Sequence, residues 1–376
     1  MLSWLQAVIS WVPVGLPAFV AVIVIVVLVH ELGHFLVARA CGVGIKVFSI
    51  GFAGEIVGWT DRKGTRWKIG WLPLGGYVQF AGDAGAASTP DAEAIAKMTP
   101  EERAGAFQLK PLWQRALVVT AGPFANFLLA IVVFSFLFAA FGAKTISTEV
   151  GGVAKGTPAA EAGLQTGDKI LSVDGRPTRL FFELTAAIRG SGGKPLVLAV
   201  KRGPEVVPVK VTPRLIDNRD IYGMPVKTMG LGVSAGPDSP ENTVYLPVPL
   251  HQAPLAAASQ TWRIVDLSLT TIWRMVRQQA DSKSLSGPIG IAKVTRTEAD
   301  AGFYAFASLI AFISVSIGLL NLFPIPLLDG GHLLYYGCEA VLGRPLKEEV
   351  QEAGFKVGLA LVLGLMIFAT LNDLVR

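Results

Sequence analysis

Charge is scarce in this sequence. Of 376 residues, 16% are Asp, Glu, Lys or Arg, where a soluble globular chain carries about 25%. The shortage is concentrated. No charged residue occurs from Met1 to Val29, from Ala116 to Phe141 or from Phe303 to Leu328, and a fourth uncharged run covers Val357 to Leu371. A membrane-spanning helix needs about 20 mostly apolar residues. The first three runs meet that length; the fourth meets it if its helix starts earlier or Lys356 snorkels. Cysteine is nearly absent, with two in the chain, which excludes a disulfide-stapled scaffold. A hydrophobic content of 52% excludes intrinsic disorder. Basic residues exceed acidic ones by 33 to 28 without forming a dense run. Nucleic acid is therefore not an expected partner, and attraction to anionic lipid head groups accounts for the excess. The first apolar run has no basic start and no small-residue cleavage site, so it is not expected to be a removable signal peptide.

What is present divides the chain into segments. A first apolar helix is expected from roughly Val12 to Ala40 and a second from roughly Trp113 to Gly142. Between them lies a Gly- and aromatic-rich stretch that becomes charged and Pro-punctuated after Gly82. Third and fourth apolar helices, joined by a short charged connector, end the chain. The expected boundaries are 1–142 for the first half of a membrane core and 143–237 for a soluble domain. Residues 238–300 form a linker with an interfacial helix, and 301–376 the second half of the core. Lys and Arg cluster after the first helix and in the last connector, so the positive-inside rule puts those segments on the cytoplasmic side. The soluble domain then faces outward, and Cys41 and Cys338 fall on the reducing side, where free thiols are expected.

The soluble stretch reads as α+β. Lys169 to Val173 is a short strand closed by an Asp174-Gly175 turn. Arg179 to Arg189 has Phe181, Leu184 and Ile188 on one helical face, with Gly190 as its stop. Leu196 to Lys201 and Val206 to Val211 make a hairpin across Gly203-Pro204. The run from Pro158 to Gly175 resembles the segment shared by PDZ domains of bacterial proteases. That resemblance implies capture of an extended peptide, such as a free C-terminus, on a sheet edge; the plainer reading is a structural domain without a ligand.

The chemistry concentrates in two places. The first is His30-Glu31-Leu32-Gly33-His34. Positions i and i+4 share a helix face, so both imidazoles can hold one metal ion, with Glu31 beside them as a general base. Two of only four histidines in the chain sit in this pattern, and a Glu at membrane depth is costly unless it works or is paired. Imidazole suits zinc, and a catalytic zinc takes three protein ligands and keeps one position open. The second place is Asn321-Leu322-Phe323-Pro324-Ile325-Pro326-Leu327-Leu328-Asp329-Gly330-Gly331-His332. Its prolines break the helical ladder and its glycines allow close backbone approach. Irregular backbone at this depth is tolerated where it lines a cavity. Asp329 is the favoured third ligand; His332 is the rival, expected instead to orient a neighbouring group. Four crossings bring both places to similar depth.

Together these motifs resemble the site-2 protease family of intramembrane zinc metalloproteases, close to bacterial regulators of the envelope stress response. Trp71 to Val78, Ala121 to Phe127 and Ser286 to Gly290 add to the likeness, as does the soluble insert. The resemblance implies an α-helical multi-pass membrane protein with four transmembrane helices, a membrane-associated β-hairpin and an inserted PDZ-like domain. It implies Zn2+ bound by His30, His34 and Asp329, with Glu31 as the base. It also implies a single-pass transmembrane substrate, such as a membrane-bound anti-sigma factor or a remnant signal peptide, already cut by another protease in the bacterial inner membrane. The better-known envelope-stress members carry two PDZ domains in tandem, and this chain has room for one.

Weaker signals complete the reading. Arg66 to Val78, with Gly75-Gly76 as the bend, reads as a β-hairpin with an apolar tip. The resemblance implies that it re-enters the membrane and pairs with unwound substrate through Gly75, Gly76 and Tyr77; a peripheral hairpin is the rival. Asn321 is a candidate donor to the developing oxyanion, or else a bond between helices. Asn126 is expected to glue helices together. Trp262, Val265, Leu269, Ile272 and Val276 form an apolar stripe suited to an interfacial helix, and His251 reads as a surface residue. Two rival functions are a PDZ-bearing scaffold with a structural metal, disfavoured by Glu31, and an ion transporter, disfavoured by the lack of paired broken helices.

Overall fold

The computed structural model describes residues 2–85, 91–219, 225–237, 239, 241–277 and 287–375. Ser286 of the motif noted above lies outside them. The chain forms two compact units. One comprises Met1–Phe136, Pro254–Ser268 and Ser282–Arg376; the other comprises Leu137–Ala253 and Leu269–Asp281.

The first unit is built on apolar helices, which satisfy every backbone group internally and so suit a lipid solvent. Helix α1 runs Leu2–Ala40. Four helical segments are long and apolar enough to cross a membrane: Gly15–Ala40, Leu112–Ala140, Phe303–Asn321 and Glu349–Val375. The last reaches spanning length by starting before the uncharged run.

After α1 come β1 (Ile45–Thr60) and β2 (Arg66–Phe80). Val47 to Ile50 pair on two sides at once. On one side their partners are Gln79, Val78, Tyr77 and Gly76, in reverse order; on the other they are Arg66, Trp67, Lys68 and Ile69, in rising order. Arg66 to Ile69 pair in turn with Val57 to Thr60. The spatial order is therefore 57–60, 66–69, 47–50, 76–79. This corrects the expected hairpin. The tight turn is not Gly75-Gly76 but the segment after Thr60. There Asp61 Oδ1 accepts the N–H groups of Lys63 (2.9 Å) and Thr65 (3.0 Å), a side chain standing in for backbone. Positive φ at Gly51 (86°) and Ala53 (67°) bends β1 so that it can pair twice. Gly75 instead swings the chain to the far edge of 47–50, its Cα pressed on the Phe52 ring.

Two short helices, α2 (Ala92–Lys97) and α3 (Pro100–Gly105), lead into α4 (Leu112–Ala140). Thr99 and Glu102 form a reciprocal capping box at the start of α3. Pro123 lies inside α4 and withholds one backbone donor there.

The second unit carries β3 (Ala143–Ile146), β4 (Val150–Val153), α5 (Pro158–Glu161), β5 (Lys169–Val173), β6 (Arg176–Pro177) and α6 (Phe181–Gly190). It continues with β7 (Leu196–Arg202), β8 (Glu205–Val211), β9 (Arg214–Arg219), β10 (Pro225–Gly230), β11 (Val233–Ala235) and β12 (Thr243–Leu246). The main sheet has the order β6-β5-β7-β8, and β3–β12, β4–β11 and β9–β10 form separate antiparallel pairs. Leu184 and Ile188 of α6 pack with Ile170, Leu198 and Val200 in a closed core. The reading of Gly190 as a stop is off by one: it is the last residue of α6, and Ser191 caps it.

Helix α7 (Ala253–Val276) runs through both units. Of its expected apolar stripe, Trp262, Leu269 and Val276 are exposed, whereas Val265 is buried. In the first unit α8 (Pro288–Asp300) precedes α9 (Phe303–Asn321). The Gly290 N–H donates to Asp373 Oδ2 (2.7 Å), tying the start of α8 to the end of the chain. The segment after α9 is irregular through Leu328, after which α10 (Asp329–Leu342) and α11 (Glu348–Val375) follow. Helix α10 replaces most of the expected short connector. Its first turn forms because Gly330 and Gly331 lie directly on the backbone of Leu322 to Pro326, where a Cβ would collide. Gly358 of α11 presses the same segment, against the Pro326 carbonyl. Leu327 is held at φ 119°, a strained value for a branched residue.

Candidate metal centre

Helix α1 presents His30 and His34 one turn apart, both 8% exposed. Their Nε2 atoms are 3.2 Å apart. Asp329, the first residue of α10, closes the group: its Oδ2 lies 3.1 Å from His30 Nε2 and its Oδ1 3.5 Å from His34 Nε2. One ligand atom from each residue falls within 4.8 Å of the others. Among the described residues this is the one such grouping of three, and His332 is not in it.

The donor set suits a cation. His34 Nδ1 lies 2.8 Å from the Val118 carbonyl of α4. A carbonyl can only accept, so Nδ1 carries the proton and Nε2 turns a lone pair inward. Asp329 Oδ2 is buried and has no donor unless His30 Nε2, 3.1 Å away, carries a proton. Imidazole nitrogens and a carboxylate turned on one buried point are what a bound metal ion would reconcile.

Close packing makes room for the pair. Gly33 sits against the Ala121 carbonyl and the Ala125 Cβ of α4, so α1 and α4 approach to backbone contact. At Gly122 a Cβ would overlap His34 Nε2 and stand 2.9 Å from His30 Cε1. Neither role was legible beyond the motif itself, although small residues at 33, 121, 122 and 125 are the signal for a tight crossing.

Glu31 lines the same cavity, of about 350 Å³, as the three clustered residues. Asn321, Gly75, Gly76 and Tyr77 also line it, so every sequence-predicted residue reaches one space. Gly76 is fitted over Glu31, with space for a Cβ only 3.2 Å from Glu31 Cγ. His332 lines this cavity and also a second one of about 200 Å³. Asn126 joins helices, as expected. It is fully buried, and its Nδ2 lies 3.3 Å from His30 Nδ1. Its backbone carbonyl adds a second bond between helices, accepting from Ser314 Oγ (2.8 Å).

Comparison with known proteins agrees with this geometry. The model of peptidase family M50 matches residues 18–365. The chain belongs to peptidase family M50, the site-2 proteases, and is a metalloprotease. Metalloprotease MmpA of Caulobacter vibrioides is 42% identical over 377 residues, covering 94% of each chain. A Mesorhizobium japonicum protein named a zinc metalloprotease is 43% identical over 359 residues, covering 95% of this chain and 97% of its own. Among solved structures, the PDZ domain of an SdrC-like protein from Listeria innocua is 23% identical, with a TM-score of 0.20. It covers 25% of this chain and 97% of its own.

Proposed function

We propose that this metalloprotease cleaves single-pass transmembrane proteins within or near the bilayer, after a first cut by another protease. Zinc is its metal, as in its family. The observation that carries the reading is the convergence of His30, His34, Asp329 and Glu31 on one buried cavity fed by apolar helices.

In this reading His30, His34 and Asp329 hold the ion, which when bound supplies a Lewis acid that acidifies water and polarises a peptide carbonyl. Glu31 accepts the proton of the attacking water and returns it to the departing amine nitrogen. Asn321 donates to the carbonyl oxygen as negative charge builds there. Residues 76–79 form a sheet edge beside the cavity. An unwound substrate segment adds there as a further strand, which holds its peptide bond extended for attack. Phe52, Val27 and Leu328 line the cavity and receive apolar side chains.

The four apolar helices cross the inner membrane of a bacterium, with the site towards the cytoplasmic side. The α+β domain over residues 143–237 is a PDZ-like module on the outer side. It filters substrates by excluding bulky outer domains, with capture of a newly made C-terminus as the alternative. Glu31→Gln tests the central claim. The variant should keep zinc and fold, lose at least about 100-fold in cleavage rate, and retain uncut substrates for identification. Turnover within tenfold of wild type would remove Glu31 as the base. A scaffold with a structural metal would show no turnover in the wild-type protein either.

A further inference from the structure

The partners of the two imidazoles do not match. His34 Nδ1 donates to a carbonyl, which leaves its Nε2 free to bind. His30 Nδ1 instead faces the amide nitrogen of Asn126 at 3.3 Å. If that nitrogen donates, His30 Nδ1 must be the acceptor and the proton moves to Nε2, the atom aimed at Asp329 and His34. A protonated Nε2 cannot ligate a metal ion. Turning the Asn126 carboxamide over removes that obstacle. The two ends of a carboxamide have the same shape. Turned over, Asn126 puts its oxygen against His30 Nδ1, which then donates and frees Nε2.

We propose that Asn126 is a positioning residue that fixes the tautomer of His30 through its carboxamide oxygen. Helix α4 then supplies one acceptor to each imidazole, the Val118 carbonyl to His34 and the Asn126 carboxamide to His30. Ser314 Oγ donates to the Asn126 backbone carbonyl, so α9 holds the amide in register. The inference rests on the reading of His30 as a metal ligand and goes beyond it by assigning the proton.

The measurement is zinc affinity of the full-length protein in detergent, by competition with a chelator, for wild type, Asn126→Leu, Asn126→Asp and His30→Ala. Asn126→Leu, which removes the acceptor at similar size, should weaken zinc binding about 10- to 100-fold. Asn126→Asp keeps an acceptor and has no donor, so it should bind zinc within about threefold of wild type. A second readout needs no variant. Selective ¹⁵N-histidine NMR of the zinc-loaded protein, which has only four histidines, should show the His30 proton on Nδ1. A proton on His30 Nε2, unchanged affinity in Asn126→Leu, or an Asp variant as weak as the Leu variant would each overturn the proposal. Full zinc retention by His30→Ala would overturn the ligand reading itself, a distinguishable failure.

Discussion

The glycines at the helix contacts of one unit differ from those at the turns of the other. In the membrane unit, Gly33, Gly122, Gly330, Gly331 and Gly358 take ordinary backbone angles and have no room for a Cβ. Their hydrogens let one helix or loop lie on another. In the α+β unit, Gly156, Gly163, Gly167, Gly175 and Gly203 have nothing within 4 Å of a Cβ, and all have positive φ. The helix contacts follow from the solvent. Helices in lipid gain little from burying apolar surface and associate through close contact. A domain in water has a hydrophobic core to draw on and needs its glycines where the chain reverses.

The largest effect expected from this contrast is at Gly122. Gly122→Ala adds one methyl in a good helix former, yet that methyl overlaps the ring of His34. Zinc content should fall below about a tenth of wild type and cleavage with it, while the protein still inserts in the membrane. Metal analysis of purified protein checks this, and full zinc content would end the contrast.

Gly163→Ala is the counterpart. The space is open but φ is 76°, so the α+β unit should lose about 1 kcal/mol. Zinc content should not change. Denaturant unfolding followed in that unit reads the loss, and Gly190→Ala, in helix α6 with neither crowding nor positive φ, should instead gain up to about 1 kcal/mol.

The smallest effect concerns charge. Asp168 is 2% exposed and accepts two hydrogen bonds from Arg202, at 2.8 and 2.6 Å. The Arg202 guanidinium holds its carboxyl below the usual carboxylate range. A depressed folded value stabilises above the unfolded pKa, near 3.9, and that stability is lost as pH falls through the folded value. Melting of the α+β unit should therefore drop on acidification below about pH 4, and Asp168→Asn should flatten that dependence.

What was legible in the sequence was local. His30 and His34 are four residues apart on one helix, so their shared face follows from helical pitch alone. Strands β5, β7 and β8 and helix α6 of the second unit follow from alternation and turn residues within a dozen positions. Asp329 could be chosen because few acidic residues stand in apolar sequence. Illegible features depend on distant partners. Nothing in Val47 to Ile50 announces that they pair on both sides, because pairing is set by bends at Gly51, Ala53 and Gly75. Helix α10 was hidden because its opening glycines disfavour a helix, and only the backbone beneath them explains their presence. Asn126 looked like any polar residue in a membrane helix; its place opposite His30 depends on where α1 crosses α4.

That crossing has a consequence for how α4 tolerates change. The helix supplies no proposed ligand, yet Arg115 forms a salt bridge with Glu339 of α10, the helix that Asp329 opens. Val118 accepts from His34, Gly122 clears the imidazoles, and Asn126 meets His30. These positions are spaced three, four and four apart, one stripe along a helix. The opposite face, with Leu117, Phe124, Leu128 and Val132, is exposed. A saturation library over Leu112–Ala140 scored for proteolysis would therefore give a banded record. One face would accept any lipid-soluble residue, and the other would accept almost none, as in a helix that bound the ion itself.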